Sequence, residues 1–409
     1  MKGLAFVWAL TLLATAGLNA SPPALDAETA AKIAQTENPE LAAARNLIAE
    51  AEARTFTTGR LSNPELGTEI AAGQDFEGRV SIGITQRFPL TGRLRFEREL
   101  SALELEMARM EVKERERQIG VAARAAFYEL VAARSSIALA REQTALSDAF
   151  AKSIGESVGQ GFGSKLDAQQ AQLAADTQRA NQEALRSQEI ESAARLNTLL
   201  GRSADSPLVA KESLDLPKAI PASRPVGTRA DLQLAEIAVE AGAKEVSLAK
   251  ANRWDDVGVG LFVEGERFRD EPEGIEPEAL VGIQFSVPLP FWQNGSGKVA
   301  EREAAQQRKS QQLAALRFAV RNEALSAHQI MAARFKSALQ VTTKLVPAAV
   351  EQVTASEAAY RRGELDIQTV FLARERLAAI EAAALEARKN YFQSYSQWIG
   401  ALGDPSTKK

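Results

Sequence analysis

Cysteine is absent from this 409-residue chain, and histidine occurs once, as His328. The first absence excludes a disulfide framework, iron–sulfur clusters, thiolate zinc sites and a lipid anchor through an N-terminal cysteine. The second excludes multi-histidine metal sites and leaves any Ser–His enzyme a single ring. An excess of one charge is missing as well. Lysine and arginine number 49 against 53 acidic residues, a net charge of −4, so there is no basic surface for nucleic acid. Beyond the N-terminus no run of 18 apolar residues occurs, and no further transmembrane helix is expected.

What is present begins with export grammar. Lys2 is followed by an apolar stretch over 4–16, then by Leu18-Asn19-Ala20 with a small residue at a cleavage point, then by Pro22 and Pro23. Residues 1–20 are expected to be a signal peptide, which places the mature chain outside the cytoplasm. The two prolines argue against an uncleaved anchor helix.

The mature chain is written twice. Asn38-Pro39-Glu40-Leu41 lies over Arg229-Ala230-Asp231-Leu232 at a shift of 191, and Gly161, Ala171 and Leu200-Gly201 lie over Gly363, Ala373 and Leu402-Gly403 at a shift of 202. A period near 200 is a duplicated half-protein rather than a solenoid repeat. The expected divisions are a first repeat over 21–201, a proline-rich linker over 202–228, a second repeat over 229–403 and a tail over 404–409.

Each half reads helix, strand, strand, long helix, return helix. The first helices are expected over 26–59 and 228–251. Val80-Ser81-Ile82-Gly83-Ile84-Thr85 and Val281-Gly282-Ile283-Gln284-Phe285-Ser286-Val287 alternate strictly, as half-buried strands do. Residues 257–261 alternate too, and 66–70 more weakly. The polar stretches 73–78 and 265–278 are expected to be external loops. Long helices follow over 93–158 and 298–361, interrupted only by Pro347; about 65 residues at ~1.5 Å each is roughly 100 Å. Apolar and small residues keep a seven-residue beat, from Ile119 and Ala123 through Leu130 and Ile137 to Val158, and at Phe318, Leu325, Ala332, Leu339, Val346, Val353 and Tyr360. That period predicts left-handed coiled-coil packing along these residues. The return helices, over 164–200 and 366–402, are half as long, so first and third helices end to end match the long one.

Four strands cannot close a barrel, and open edges are untenable in lipid. Two chains give eight strands, whose interior side chains fill; three give twelve and a lumen. Apolar outward and small or polar inward is the transmembrane barrel pattern. The expected fold class is mainly α with a β-barrel portion, the barrel being trimeric and twelve-stranded.

At this point the chain resembles the TolC-like outer-membrane efflux protein family over nearly all its mature length. The doubled element order carries the resemblance, with Asn38-Pro39-Glu40-Leu41, Asn63-Pro64-Glu65-Leu66, Gln86-Arg87-Phe88-Pro89-Leu90-Thr91-Gly92-Arg93, Val287-Pro288-Leu289-Pro290 and the turns after Gly161 and Gly363. Within the family the length and the Gln86 to Arg93 segment are more similar to the cobalt–zinc–cadmium efflux branch. The resemblance implies a homotrimer in outer-membrane lipid and a helical tunnel through the periplasm. It also implies docking to a periplasmic adaptor and an inner-membrane pump, without catalysis or cofactor. It assigns adaptor docking to the hairpin tips: Gly161, Phe162, Gly163 and Ser164, and Gly363, Glu364, Leu365 and Asp366. The family often carries a carboxylate six residues past the tip glycine. Asp167 fits; Thr369 stands at the equivalent place in the second half, so that Asp366 or Glu364 would have to supply the second ring of a cation-favouring gate.

Other signals point nowhere. Gly159-x-Gly161-x-Gly163 follows a helix instead of a strand, and Gly295-Ser296-Gly297-Lys298 lacks the rest of a phosphate loop. Met107 and Met110 make no soft-metal site. The expected function is the passive exit duct of a tripartite efflux system, with heavy-metal cations as one cargo class. The alternatives are the duct of an ATP-driven protein-secretion system and a periplasmic coiled-coil scaffold outside the membrane.

Overall fold

The computed structural model describes residues 25–73, 78–161, 164–211, 213–270, 274–292 and 294–403. The signal segment, the tail, Phe162 and Gly163 lie outside the described residues. The elements run α1 (Ala27–Glu37), α2 (Pro39–Thr57), β1 (Glu65–Ala72), β2 (Gly78–Phe88), α3 (Arg93–Gly159), α4 (Lys165–Leu199), α5 (Ala230–Ala251), β3 (Val257–Asp270), β4 (Gly274–Ser286), α6 (Ser296–Gln340), a π-helical turn (Val341–Leu345), α7 (Val346–Arg361) and α8 (Ile367–Leu402). Proline accounts for two departures from the expected helices. Pro39 splits the first helix, because it has no N–H to give and Asn38, in extended conformation before it, cannot continue α1. Pro347 lies just past the π turn, where the widened ring absorbs the hydrogen bond that it cannot donate.

The 67 residues of α3 make a strut of about 100 Å. Its expected seam is the one that packs: Ala123, Ala126, Leu130, Ala133, Ile137, Ala140 and Ile154 are buried. In the second half the beat is right and its phase is wrong. Ala324, Met331 and Ala338 are buried, whereas Leu325 and Leu339, one residue on, are exposed, as is Phe318 at 70%. One residue turns a helix by about 100°. Periodicity finds an apolar stripe but not what it faces, and α6 carries two.

The half-length helices do meet end to end, and the duplication shows how. The Asn38 side chain accepts from the Glu40 N–H (2.9 Å) and the Leu41 N–H (3.3 Å), starting α2, while its Nδ2 donates to Leu199 O at the end of α4 (2.9 Å). In the second half Arg229 donates to Ala401 O near the end of α8 (3.1 Å). Asn38 and Arg229 are counterparts at the 191 shift, Leu199 and Ala401 at the 202 shift. The glycines past these helices correspond as well. Gly201 (φ 70°) and Gly403 (φ 80°) take the left-handed conformation. A Cβ on either would run into a carbonyl oxygen, of Glu37 or of Thr228. Segment 202–228 belts these joints instead of hanging free. Leu25 pairs with Ala210, Leu214 is buried, and Pro221 O lies 3.0 Å from His328 Nε2.

The strands form one antiparallel sheet in the order β1-β2-β3-β4. The β3–β4 ladder runs on to Asp270 opposite Gly274, so most of the expected loop 265–278 is strand. Polar side chains there suggested a loop, but ladder hydrogen bonds are made by backbone and are indifferent to them.

Candidate functional site

The sheet has two unlike faces. Leu66, Ile84, Leu261 and Ile283 lie directly opposite one another across all four strands, and Val80, Ile82, Val263, Val281 and Phe285 share their face. These side chains are 48–71% exposed, so the hairpins do not fold against their own subunit. The other face is small and polar: Gly67, Ser81, Gly83, Thr85, Gly260, Gly282 and Gln284. Glu264 pairs there with Arg79 (3.7 Å) and Glu65 with Arg87 (3.3 Å). Leu280 shares this face by register, and the Phe262 ring lies against the bare backbones of Gly83 and Gly282. Phe88, Phe291 and Trp292 stand exposed where strand gives way to helix, Trp292 at 94%; such rings suit a lipid–water boundary.

At the far end the two tips are turned by glycine. Gly161 has φ 88° and Gly363 φ 76°. Gly363 closes a Schellman motif, with the Glu364 N–H donating to Ala359 O (3.0 Å) and the Gly363 N–H to Tyr360 O (2.8 Å). Ser164 starts α4 in a capping box. Its hydroxyl accepts from the Leu166 N–H (3.1 Å), and the Asp167 carboxylate accepts from the Ser164 N–H (3.3 Å). Asp366 starts α8, accepting from the Thr369 N–H (2.9 Å) and hydroxyl (2.6 Å). Thr369, which breaks the carboxylate pattern, thus completes a cap. The hydrogen bonds from Thr369 hold the Asp366 carboxyl below its ordinary range. Glu364 is lowered by the bidentate Arg362 (2.8 Å), and Leu365 is 39% exposed. Burial, then the charge of Asp167, raises the Tyr360 phenol. The sites expected at the tips are therefore brought together, save Phe162 and Gly163, which lie outside the described residues. Asp167 and Asp366 both spend carboxylate oxygens on helix starts.

Ile154, Ala171 and Ile367 join the two tips in one apolar cluster, and Gln368 hydrogen-bonds Gln170. Arg374 is the residue that sequence reasoning missed. It grips Glu357 of α7 (2.6 and 2.9 Å), donates to Leu146 O of α3 (3.3 Å) and sits 4.1 Å from the Phe150 ring centre. One side chain thus ties hairpin α7–α8 to hairpin α3–α4. A signal was available. Glu357 and Arg374, like Asp148 and Arg179, are opposite charges mirrored about a point two to three residues past a tip glycine. Among the described residues no group of His, Cys, Asp or Glu is placed to hold a metal.

Comparison with known proteins agrees with this geometry. Residues 226–404 match the family described as "Outer membrane efflux protein". No curated protein matches the chain. Among solved structures, the outer-membrane channel OprN is similar at 17% identity and a TM-score of 0.74, over 92% of this chain and 89% of that one. The outer membrane protein VceC of Vibrio cholerae is 18% identical with a TM-score of 0.71, over 92% and 96%. The MtrE outer membrane channel of Neisseria gonorrhoeae, in its open state, is 15% identical with a TM-score of 0.73, over 92% and 88%. The second half thus matches the outer membrane efflux protein family in sequence, and the chain as a whole shares the fold of these outer-membrane channels.

Proposed function

We propose that three copies of the chain form a passive exit duct in the outer membrane of a Gram-negative-type cell, fed through the periplasm by an adaptor and an inner-membrane pump. One observation carries this reading. A four-stranded sheet with an exposed apolar face and two unpaired edges caps helices of about 100 Å. In water such edges invite aggregation. In lipid they must be closed, and pairing β1 of one copy with β4 of the next closes a ring of twelve strands whose polar face lines the lumen. The helices offer a matching pair of edges. Leu166 and Ile190 on α4 are 59% and 69% exposed, and Phe318, Leu325 and Leu339 on α6 are exposed as well. Placed edge to edge, they continue the cylinder.

The tips at Gly161–Ser164 and Gly363–Asp366 then meet the adaptor. Asp167 and Asp366, three copies of each, present their remaining charge to the narrow end and favour cations there. Energy and choice of cargo belong to the pump; heavy-metal cations are the class to which the Gln86 to Arg93 segment points. The test is fractionation of cells making the full-length protein, followed by planar-bilayer recording. Heat-modifiable trimers in the outer-membrane fraction, giving steady single-channel conductance, support the reading. A soluble monomer, as a periplasmic scaffold would be, refutes it.

A further inference from the structure

Between the two hairpins α3, α4, α7 and α8 of one protomer border a groove of about 620 Å³, within the size range of small-molecule sites. Its apolar part is built. Phe150 and Phe371 meet edge to face with ring centres 5.8 Å apart, and Leu146 and Leu173 line it while remaining 55% and 68% exposed. Its charge is lopsided, with four carboxylates against one guanidinium, that of Arg374. Two carboxylates are occupied: Glu357 holds Arg374, and Glu381 accepts from Gln143 at 2.9 Å. The other two, Glu142 on α3 and Glu375 on α8, are exposed and have no partner among the described residues. One ring already hosts a cation, since Arg374 sits 4.1 Å from the centre of Phe150.

We propose that this groove is a binding site for small lipophilic organic cations, with the apolar body against Phe371, Leu146 and Leu173 and the cationic centre between Glu142 and Glu375. The chemistry follows from the lining. Apolar surface exposed on both sides of the groove gains by covering, and an aromatic or alkyl body of the right size covers it. Free carboxylates from two helices, α3 and α8, attract a cation and repel an anion of the same shape. The occupant would touch both hairpins at once, as Arg374 does, and so hold them in the spacing seen here. All four walls come from one protomer, so the site stands independently of trimer formation.

The test is equilibrium dialysis of tetraphenylphosphonium against the purified full-length protein in an uncharged maltoside detergent, with tetraphenylborate as the anion of matching shape. The cation should bind saturably, one per chain, and the anion at least about tenfold more weakly. The double variant Glu142→Gln, Glu375→Gln should weaken cation binding about tenfold or more. Neither carboxylate is paired, so its thermal unfolding should match that of the parent. Ala174→Trp, which puts an indole into the groove, should abolish binding with an unchanged oligomeric state. Equal uptake of the two ions, non-saturable uptake, or undiminished binding by the double variant overturns the proposal. A preparation that stays monomeric yet binds the cation refutes the duct and leaves the site standing.

Discussion

A single positive charge on one strand separates a lipid-facing sheet from a soluble one. Val80 to Phe88 on β2 spans eight residue steps. At ~3.3 Å each and a tilt of ~45° it covers roughly 20 Å of membrane depth. Ile84 is its midpoint, in the row with Leu66, Leu261 and Ile283. Lysine at the midplane of a membrane barrel costs ~2–4 kcal/mol. Ile84→Lys therefore costs ~6–12 kcal/mol over three copies, comparable with the whole stability of a domain. On a water-exposed face the same change stays within about 0.5 kcal/mol, because Ile84 is already 56% exposed. Ser81→Lys is the control. It lies on the opposite face, across from Glu264 and Glu69, where a lysine finds opposite charge. The assay is the yield of heat-modifiable trimer in outer membranes or refolded into liposomes. Ile84→Lys should remove the trimer and Ser81→Lys should leave it. Normal insertion of Ile84→Lys, or loss of trimer in Ser81→Lys alone, would refute the assignment of faces.

Two further predictions concern the joint and the tips. Arg229 is 4% exposed and pairs with Asp231 (2.7 Å) and Glu323 (2.8 Å); Arg229→Met strands the Asp231 carboxylate and should cost about 2–4 kcal/mol in chemical denaturation. Burial is the largest single influence and opposes both charges, but hydrogen bonds and neighbouring charges together outweigh it: Arg229, the Leu232 N–H and Arg117 lower the Asp231 carboxyl, and Asp231 and Glu323 raise the Arg229 guanidinium. The carboxyl's contribution is thus present above the unfolded aspartate value near 3.9 and lost as pH falls through the lowered folded value. The parent should lose stability below about pH 4, and Arg229→Met should lose less there. At the first tip Ser164→Ala removes the α4 cap and should cost about 1 kcal/mol locally. Amide exchange should quicken in the first turn of α4, with the buried cluster around Phe127, Leu130 and Leu196 unchanged; uniform exchange across the chain would show that the cap is not local.

Much of this was legible in the sequence, and the misses have physical reasons. Element order, the duplication and the tip glycines came through because glycine, proline and a sustained seven-residue beat are local signals. Asn38-Pro39-Glu40-Leu41 was visible as a motif, but its purpose needed coordinates. It seats α2 on the end of α4, a contact between residues 161 apart in the chain. The phase error at Leu325 and Leu339 has the same origin. An apolar stripe awaiting a neighbouring copy and one packed within the subunit are identical in sequence. Arg374 went unnoticed because its partners Glu357, Phe150 and Leu146 come from two other helices, one of them more than 200 residues earlier. Asp167 and Asp366 were singled out for charge, and the structure adds that both start helices.

The most direct test of the central claim uses the absence of native cysteine. Within one subunit β1 and β4 are separated by two strands, about 14 Å at ~4.8 Å per spacing, too far for a disulfide. Thr68→Cys on β1, combined in turn with Val281→Cys, Ile283→Cys and Phe285→Cys on β4, can therefore cross-link only between copies. Oxidation in outer membranes should give, at one of these registers, a reducible covalent trimer that grows no further. Monomers at every register, or ladders running beyond three, would contradict a closed ring of three sheets.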